Sequence, residues 1–379
     1  MTLDLAKVRA DVKIRGMDIG LFRGVWPLEG WDYRRPVTTT EQSGNDLTYY
    51  QVLISLDSTN FNFAHAQSNG EDVRFTDVEG NLLSYWIEEW DAVNEKAKVW
   101  VKVPSIPANS SVEIYMYYGN PSASSASDAS ATFIRIIDEL VASWHFDEGS
   151  GNITYDSSGN DNDGTIYGAT WVDGKFGKAL SFDGIDDYVD CGDSESLRLG
   201  TSDFTIAVWF KENTGVSSHG SLISKGTYAA NGEYAIYVFN GDHIRYCFEG
   251  DCEHGDHTGL NDWQWHFMVS VQNGSVNRGY IDCELDAENT DMSVDITTNK
   301  HQGIGVRNLG VDGSTNLADA YFNGIIDEVF IFKRALSEEE ILDLYNNYGY
   351  STENYPGKVL VRKYTEPEPS VSVGEEETP

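Results

Sequence analysis

The chain has 379 residues, 40% of them hydrophobic, which is enough for two or three packed domains. Its 61 Asp and Glu against 26 Lys and Arg leave a formal charge of −35, a field that repels phosphate backbones and anionic membranes and excludes nucleic acid as a partner. No run of about 18 apolar residues is present to carry a helix across a bilayer, so membrane insertion is not expected.

Residues 1–30 differ from the rest in carrying a net charge of +1. Val8, Ala10, Val12 and Ile14 alternate with Lys7, Arg9, Asp11, Lys13 and Arg15, the pattern of an amphipathic strand. Two readings stay open: a disordered leader, or an extended arm that adds a strand to another copy or anchors the chain in a larger assembly. Leu21, Phe22 and Val25 are interrupted by Arg23 and Gly24, so no signal peptide is recognisable.

Residues 31–133 alternate with period 2 at Tyr50–Leu56, Lys96–Val103 and Val112–Tyr118, as half-buried strands do. The Ser- and Ala-rich segment Asn120–Thr132 reads as a linker and sets a boundary near residue 134. Residues 134–349 hold −25 of the charge, with strand candidates at Phe204–Phe210, Glu233–Phe239, Trp263–Val271, Arg278–Leu285 and Ile325–Phe332. Ser337 and Glu340 form a capping box that predicts a helix over Ser337–Tyr345. Residues 350–379 give a strand at Val359–Tyr364 and an acidic end at Glu375, Glu376 and Glu377. That end reads as a solvated tail, or as a segment whose strand returns to the first domain. One helix among so many strands predicts an all-β chain of two β-sandwiches in series, with an N-terminal extended arm. Of the four cysteines, Cys191, Cys247, Cys252 and Cys283, the pair Cys247 and Cys252 is the disulfide candidate.

Several motifs carry a resemblance. Trp31-Asp-Tyr-Arg-Arg-Pro36, Asp72-Val-Arg-Phe-Thr-Asp77, Tyr85-Trp-Ile-Glu-Glu-Trp-Asp91, Val99-Trp-Val-Lys-Val-Pro104 and Ile114-Tyr-Met-Tyr-Tyr-Gly-Asn-Pro121 resemble a β-sandwich domain of unassigned function found in archaeal and bacterial surface proteins, often directly before a laminin-G-like module. Trp144-His-Phe-Asp-Glu-Gly-Ser-Gly151, Asp156 to Gly164, Ala179-Leu-Ser-Phe-Asp-Gly-Ile-Asp-Asp-Tyr-Val189, Gly324-Ile-Ile-Asp-Glu-Val329 and Arg334 to Ile341 resemble that laminin-G-like module, of the concanavalin A-like lectin/glucanase superfamily. The resemblance implies a two-sheet jelly roll that often holds a structural calcium and often binds glycans or protein partners. Carried onto this chain, it implies oxygen ligands at Asp147 or Glu148, at the turn of Asp183 and Gly184 with Asp186, and at Asp327. Asp156, Asn160 and Asp163 offer a second oxygen cluster, or a plain tight turn.

Glycans dock on aromatic faces with polar groups gripping hydroxyls. The candidates near predicted loops are Trp171, Tyr228, Trp263 and Trp265, with Asn231, Asp242 and Asp262 as polar neighbours. Glu89-Trp-Asp-Ala-Val-Asn-Glu95 has a glucanase-like carboxylate spacing but falls where a hairpin turn is needed, and Asp282, Glu284 and Asp286 alternate at the wrong spacing. The stretch from Cys247 to His257 matches no zinc spacing and reads as a hairpin loop with two titratable histidines, His254 and His257. No catalytic residue is assigned. The expectation is a non-catalytic extracellular or virion-surface protein, a capsid decoration or adhesin. It would bind a glycan or host surface protein through a calcium-stabilised laminin-G-like domain and contact other copies or a virion or surface layer through residues 1–30, as a homo-oligomer. A purely structural coat or filament subunit and a glucan-cleaving hydrolase are the alternatives.

Overall fold

Residues 26–379 are described by a computed structural model, except 216–218, 228, 230, 231, 311, 312, 314 and 316–318. The amphipathic segment at residues 7–15 and the ligand candidates Tyr228 and Asn231 lie outside the described residues.

The first sandwich faces a four-stranded antiparallel sheet against a three-stranded one. The first runs in the order Ser370–Val373, Tyr33–Thr40, Ser111–Tyr118, Arg74–Thr76; the second runs Leu47–Asp57, Lys96–Ile106, Tyr85–Asp91. The alternation read from the sequence sets the inner faces: Val99, Val101 and Val103 bury against Ile54, Val52 and Tyr50 of the partner strand, while Lys98 and Lys102 point outward. At Glu89–Glu95, Asp91 Oδ1 accepts the N–H groups of Val93 and Asn94, which makes the segment a hairpin turn rather than a catalytic strand.

The tail is not solvated. Ser370–Val373 pairs with Tyr33–Thr40 as the outermost strand of the first sandwich, packing the partly buried Val371 and Val373 against its core. Beyond it Glu377 meets Arg34 at 2.7 Å, and Glu376 accepts from the Tyr118 hydroxyl at 2.7 Å and pairs with His65 at 2.9 Å. The acidic end is therefore held by cations and hydroxyls more than 250 residues away in sequence. The expected linker is also fixed: Asp128 caps the short helix Ala129–Thr132, and Ser127 Oγ accepts from the Ile87 N–H.

The second domain is a pair of eight-stranded antiparallel sheets around one large core that includes Trp144, Phe146, Phe182, Phe204, Phe210, Tyr234 and Tyr246. Arg278–Leu285, read from sequence as one strand, is two: Val276–Ile281 and Glu284–Asn289 join through Asp282 and Cys283, both at positive φ. The helix spans Glu338–Asn346 with Ser337 at its cap and both capping-box bonds present. Its Ile341 and Leu344 cover the outer face of the sheet strand Phe204–Glu212 at Ala207 and Trp209.

A third sheet joins the two sandwiches. Arg135–Asp138, Tyr348–Tyr350 and Lys358–Arg362 pair side by side. Period 2 sends Val359 and Val361 into the core under the helix and Leu360 the other way, onto Trp86, Trp100 and Phe133 of the first sandwich side. Val359–Tyr364 thus returns toward the first domain by packing on it, while the strand that pairs within it is Ser370–Val373.

Candidate functional site

The joint is built around a buried acid. Glu88 accepts from Trp100 Nε1 at 2.7 Å within the first sandwich, and from the Tyr350 hydroxyl and Thr352 Oγ1, both at 2.9 Å, across the junction. Next to it Arg362, buried, holds Glu368 through both guanidinium ends at 2.7 and 2.9 Å, and lies 5.0 Å from the Trp100 ring and 4.8 Å from the Tyr348 ring. Its Nε has no hydrogen-bond partner.

Trp100, Tyr348, Tyr350, Arg362 and Glu368 line a cleft between the two sandwiches. One cavity of about 450 Å3 is walled by Tyr50, Leu53 and Trp100 from the first domain, Asp147, Phe176 and Gly177 from the second, and Tyr348, Tyr350, Arg362, Tyr364, Glu366 and Glu368 from the joining strands and the chain that leaves them. A second cavity, also about 450 Å3, shares Asp147, Tyr348 and Tyr350 and continues to His145, Glu148, Tyr155, Ser351 and Glu353. Aromatic faces beside carboxylates and a guanidinium are the chemistry that grips a sugar. The volume is that of a small-ligand pocket.

Asp147, on the cleft wall, and Asp327, buried behind it, close on the same glycine turn. Asp327 Oδ2 accepts the N–H groups of Lys175 and Phe176 and its Oδ1 that of Glu328, while Asp147 Oδ1 accepts from Lys178. The turn between them needs glycines: a Cβ on Gly174 would lie 2.5 Å from Asp327 Oδ2, and one on Gly177 would collide with Asp147 Oδ1. Burial, with the neighbouring Glu328 charge, pushes the Asp327 carboxyl well up, and burial pushes Asp147 up as well. Glu148 accepts the Tyr155 N–H through Oε1 and leaves its buried Oε2 without a partner.

Asp183, Gly184 and Asp186 do not join this group. Asp183 pairs with Asn323 whereas Ile326, beside Asp327, pairs with Leu180, which separates the two predicted halves of the calcium site by roughly 13 Å of strand. The turn forms its own cluster instead: carboxylate oxygens of Asp183, Asp186 and Asp187 all lie within 4.8 Å of one another. Asp187, which sequence reasoning did not single out, is the buried member, and burial raises its carboxyl. Asp156 is saturated by N–H and hydroxyl donors from Ser143, Ser158 and Asn162, while Asp163 and Asn160 bond to the same loop and to Val141. That set is a turn anchor with no oxygen left over on Asp156 for an ion.

A chain of hydrogen bonds runs Ser351 Oγ to His145 Nε2 at 2.6 Å and His145 Nδ1 to Glu328 at 2.7 Å. The order resembles a nucleophile, base and orienting acid, but burial lowers the imidazole to about 4 and pushes Glu328 well up, so the base is weak. The chain ties the first strand of the second domain to the joining sheet.

The aromatic candidates are dispersed. Trp171 packs on the rim of the large core and donates Nε1 to Gly151. Trp263, 38% exposed, stacks on Lys211 at 4.5 Å; Trp265 packs beside the helix-covered core, and Asp262 accepts from Gln264 N–H. Asp242 accepts from Gly259 in a different loop. None of these described residues lines the cleft. Asp286 is held by Tyr246 and His257, so the alternating acids at Asp282, Glu284 and Asp286 serve a turn and a loop anchor. Cys247 and Cys252 are joined, and Cys191 and Cys283 are free thiols.

Comparison with known families places both halves. Residues 183–342 match the concanavalin A-like lectin/glucanases superfamily, and residues 69–156 match a domain of unknown function, DUF2341. The chain carries a concanavalin A-like domain behind a domain of unknown function. The second match crosses from the first sandwich into the opening strand of the concanavalin A-like domain, so it includes the joint residues Trp86, Trp100 and Phe133. No curated protein sequence matches the chain.

Among solved structures, the binding domain of Paraclostridial Mosquitocidal Protein 1 is 18% identical with a TM-score of 0.45, covering 55% of this chain and 52% of that one. Domain 4 of AbnA, a GH43 extracellular arabinanase from Geobacillus stearothermophilus solved in complex with arabinotriose, is 21% identical with a TM-score of 0.43, covering 55% and 98%. The botulinum neurotoxin serotype D binding domain is 14% identical with a TM-score of 0.42, covering 58% and 55%. The chain thus spans about half the length of the toxin chains it matches. At these scores the likenesses carry no functional argument. No helix among the described residues is long and apolar enough to cross a membrane.

Proposed function

We propose that the protein is a non-catalytic surface component, a capsid decoration or adhesin, that recognises a neutral glycan in the cleft between its two sandwiches. The observation that carries this reading is the cleft itself: the half-buried Tyr350 and Tyr364, backed by the buried Trp100 and Tyr348, stand beside Asp147, Arg362, Glu366 and Glu368 in one cavity walled by both domains. The Cys247–Cys252 bond supports an oxidising, extracellular setting. Residues 1–30 are the segment we assign to contact with other copies or with a virion or surface layer.

Calcium belongs to the same proposal. The Asp183, Asp186 and Asp187 oxygens suit a hard cation, which would neutralise three crowded carboxylates and stiffen the turn between Lys178–Asp183 and Tyr188–Asp190. An array of neutral and acidic oligosaccharides probed with the full chain at saturating calcium tests the reading. Retention of at least one neutral oligosaccharide is expected, and no retention at all would favour a purely structural coat subunit.

A further inference from the structure

In the eight-stranded sheet that holds the disulfide, Tyr237 pairs with Arg245 and Arg245 with His254 across three neighbouring strands, while Phe239 pairs with His243. Period 2 puts all five side chains on one face. It is the face turned away from the core, because Ile236, Val238, Ile244 and Tyr246 between them fill the core. The hairpin presenting Arg245 and His254 turns through Glu249 and Gly250, both at positive φ, and the Cys247–Cys252 bond pins it one residue pair away.

Phe239 acts as a wedge on this face, with the Arg245 guanidinium 3.7 Å from its ring centre and the His219 ring stacked on it at 4.3 Å. Arg245 donates to the Tyr237 hydroxyl and to His254 Nδ1, both at 3.4 Å. Since that nitrogen accepts, the 3.2 Å contact between His254 and His243 is donated by His243 Nε2. Arg307 lies 5.2 Å from the Tyr237 ring.

The charge pattern sets this patch apart. Every other described arginine from Arg135 onward pairs with a carboxylate: Arg135 with Asp343, Arg198 with Asp193, Arg278 with Glu288, Arg307 with Asp319, Arg334 with Glu340 and Arg362 with Glu368. Arg245 has none among the described residues, in a segment whose net charge is −25. Glu253, beside His254 in sequence, is turned away to Asn289. Burial, and then the Arg307 and Arg245 charges, hold His219 below the usual imidazole range; burial, Arg245 and His243 do the same to His254. A local cationic spot on an acidic body attracts a compact anion while the body repels a long polyanion. The guanidinium fork matches a carboxylate or a sulfate.

We propose that this outer face is a second binding site, for an anionic group carried on a sugar, with Arg245 as the anchoring cation, His243 and His254 as its flanking hydrogen-bonding groups and the buried Tyr237 hydroxyl holding the guanidinium from beneath. That the anion rides on a glycan rests on the reading above; that the site takes an anion rests on Arg245 and its neighbours alone. Isothermal titration of the full chain with lactose, 3′-sulfolactose and a glucuronic-acid-containing tetrasaccharide tests it. At least one charged probe binds ten-fold or more tighter than lactose, and which one distinguishes sulfate from carboxylate. Arg245→Gln removes that advantage, Arg245→Lys keeps part of it, and Arg278→Gln leaves it intact. Charged probes that bind no better than lactose, or an Arg245→Gln protein that binds like the wild type, would overturn the site while leaving the cleft reading standing.

Discussion

Leu360 and Val361 are neighbours in the chain and bury in opposite directions, Leu360 against Trp86 and Trp100 of the first sandwich and Val361 into the core beneath the helix of the second. A strand that is apolar on both faces makes the joint part of the fold rather than a tether. Leu360→Ala removes the peg at the centre of the junction, at a cost of roughly 2–5 kcal/mol for a buried leucine. Calorimetry of the wild type should give one transition, and the variant should split it into two, because each sandwich then melts alone. A single, unshifted transition in the variant would argue against a rigid joint.

Removing residues 370–379 takes away the strand on Tyr33–Thr40 together with the Glu376 and Glu377 contacts. The uncovered strand becomes an open edge. The truncated protein should melt roughly 1–2 °C lower for each kcal/mol lost, because the two sandwiches unfold as one unit of about 2.1 cal/mol/K per residue, and should associate by light scattering. A protein that stays monodisperse with an unchanged melting point would return the tail to a solvated terminus.

Glu212 is buried with both carboxylate oxygens unpartnered, and burial raises it to about 8. The folded state keeps the proton that the unfolded chain releases near 4.5, so this contribution is complete below pH 4.5 and is lost as pH rises toward 8. Glu212→Gln should therefore gain stability over the wild type in denaturant melts at pH 8 relative to pH 5. An equal difference at both pH values would mean that the carboxyl is not perturbed. His145 works with the opposite sign: its imidazole, lowered to about 4, favours the fold fully above about pH 6.5 and loses that contribution as pH falls toward 4.

Calcium at the Asp183, Asp186 and Asp187 turn should raise the melting temperature of the single transition by roughly 3–5 °C at 100 times its dissociation constant, from about 2.7 kcal/mol of linkage. Asp187→Asn should abolish the rise, and Asp147→Asn should leave it. A rise that depends on Asp147 and not on Asp187 would move the ion to the other acidic group.

Much of the fold was legible because one-sided strands advertise themselves. Lys96-Ala-Lys-Val-Trp-Val-Lys-Val103 shows its buried face in every second residue, and Ser337 with Glu340 marks a helix start. The misread elements lacked those signals. The turn at Asp282 and Cys283 contains no glycine, so Arg278–Leu285 looks continuous. Ser370-Val-Ser-Val373 does alternate, but Pro367, Pro369 and three terminal glutamates around it hide a strand whose partner lies some 330 residues earlier. The cleft was invisible because Trp100, Asp147 and Tyr348 meet only through pairings across the junction. The cationic face needed the register of Tyr237, Arg245 and His254, which the Glu249-Gly250 turn fixes.

The most direct test of the account is isothermal titration of the neutral oligosaccharide retained on the array, comparing the wild type with Tyr364→Ala. Tyr364 lines the cleft and is half-buried on its wall. A loss of affinity of ten-fold or more, in a variant that still unfolds cooperatively well above the titration temperature, is the predicted result. Equal affinity in the two proteins would place neutral-glycan recognition elsewhere and contradict the cleft as the binding site.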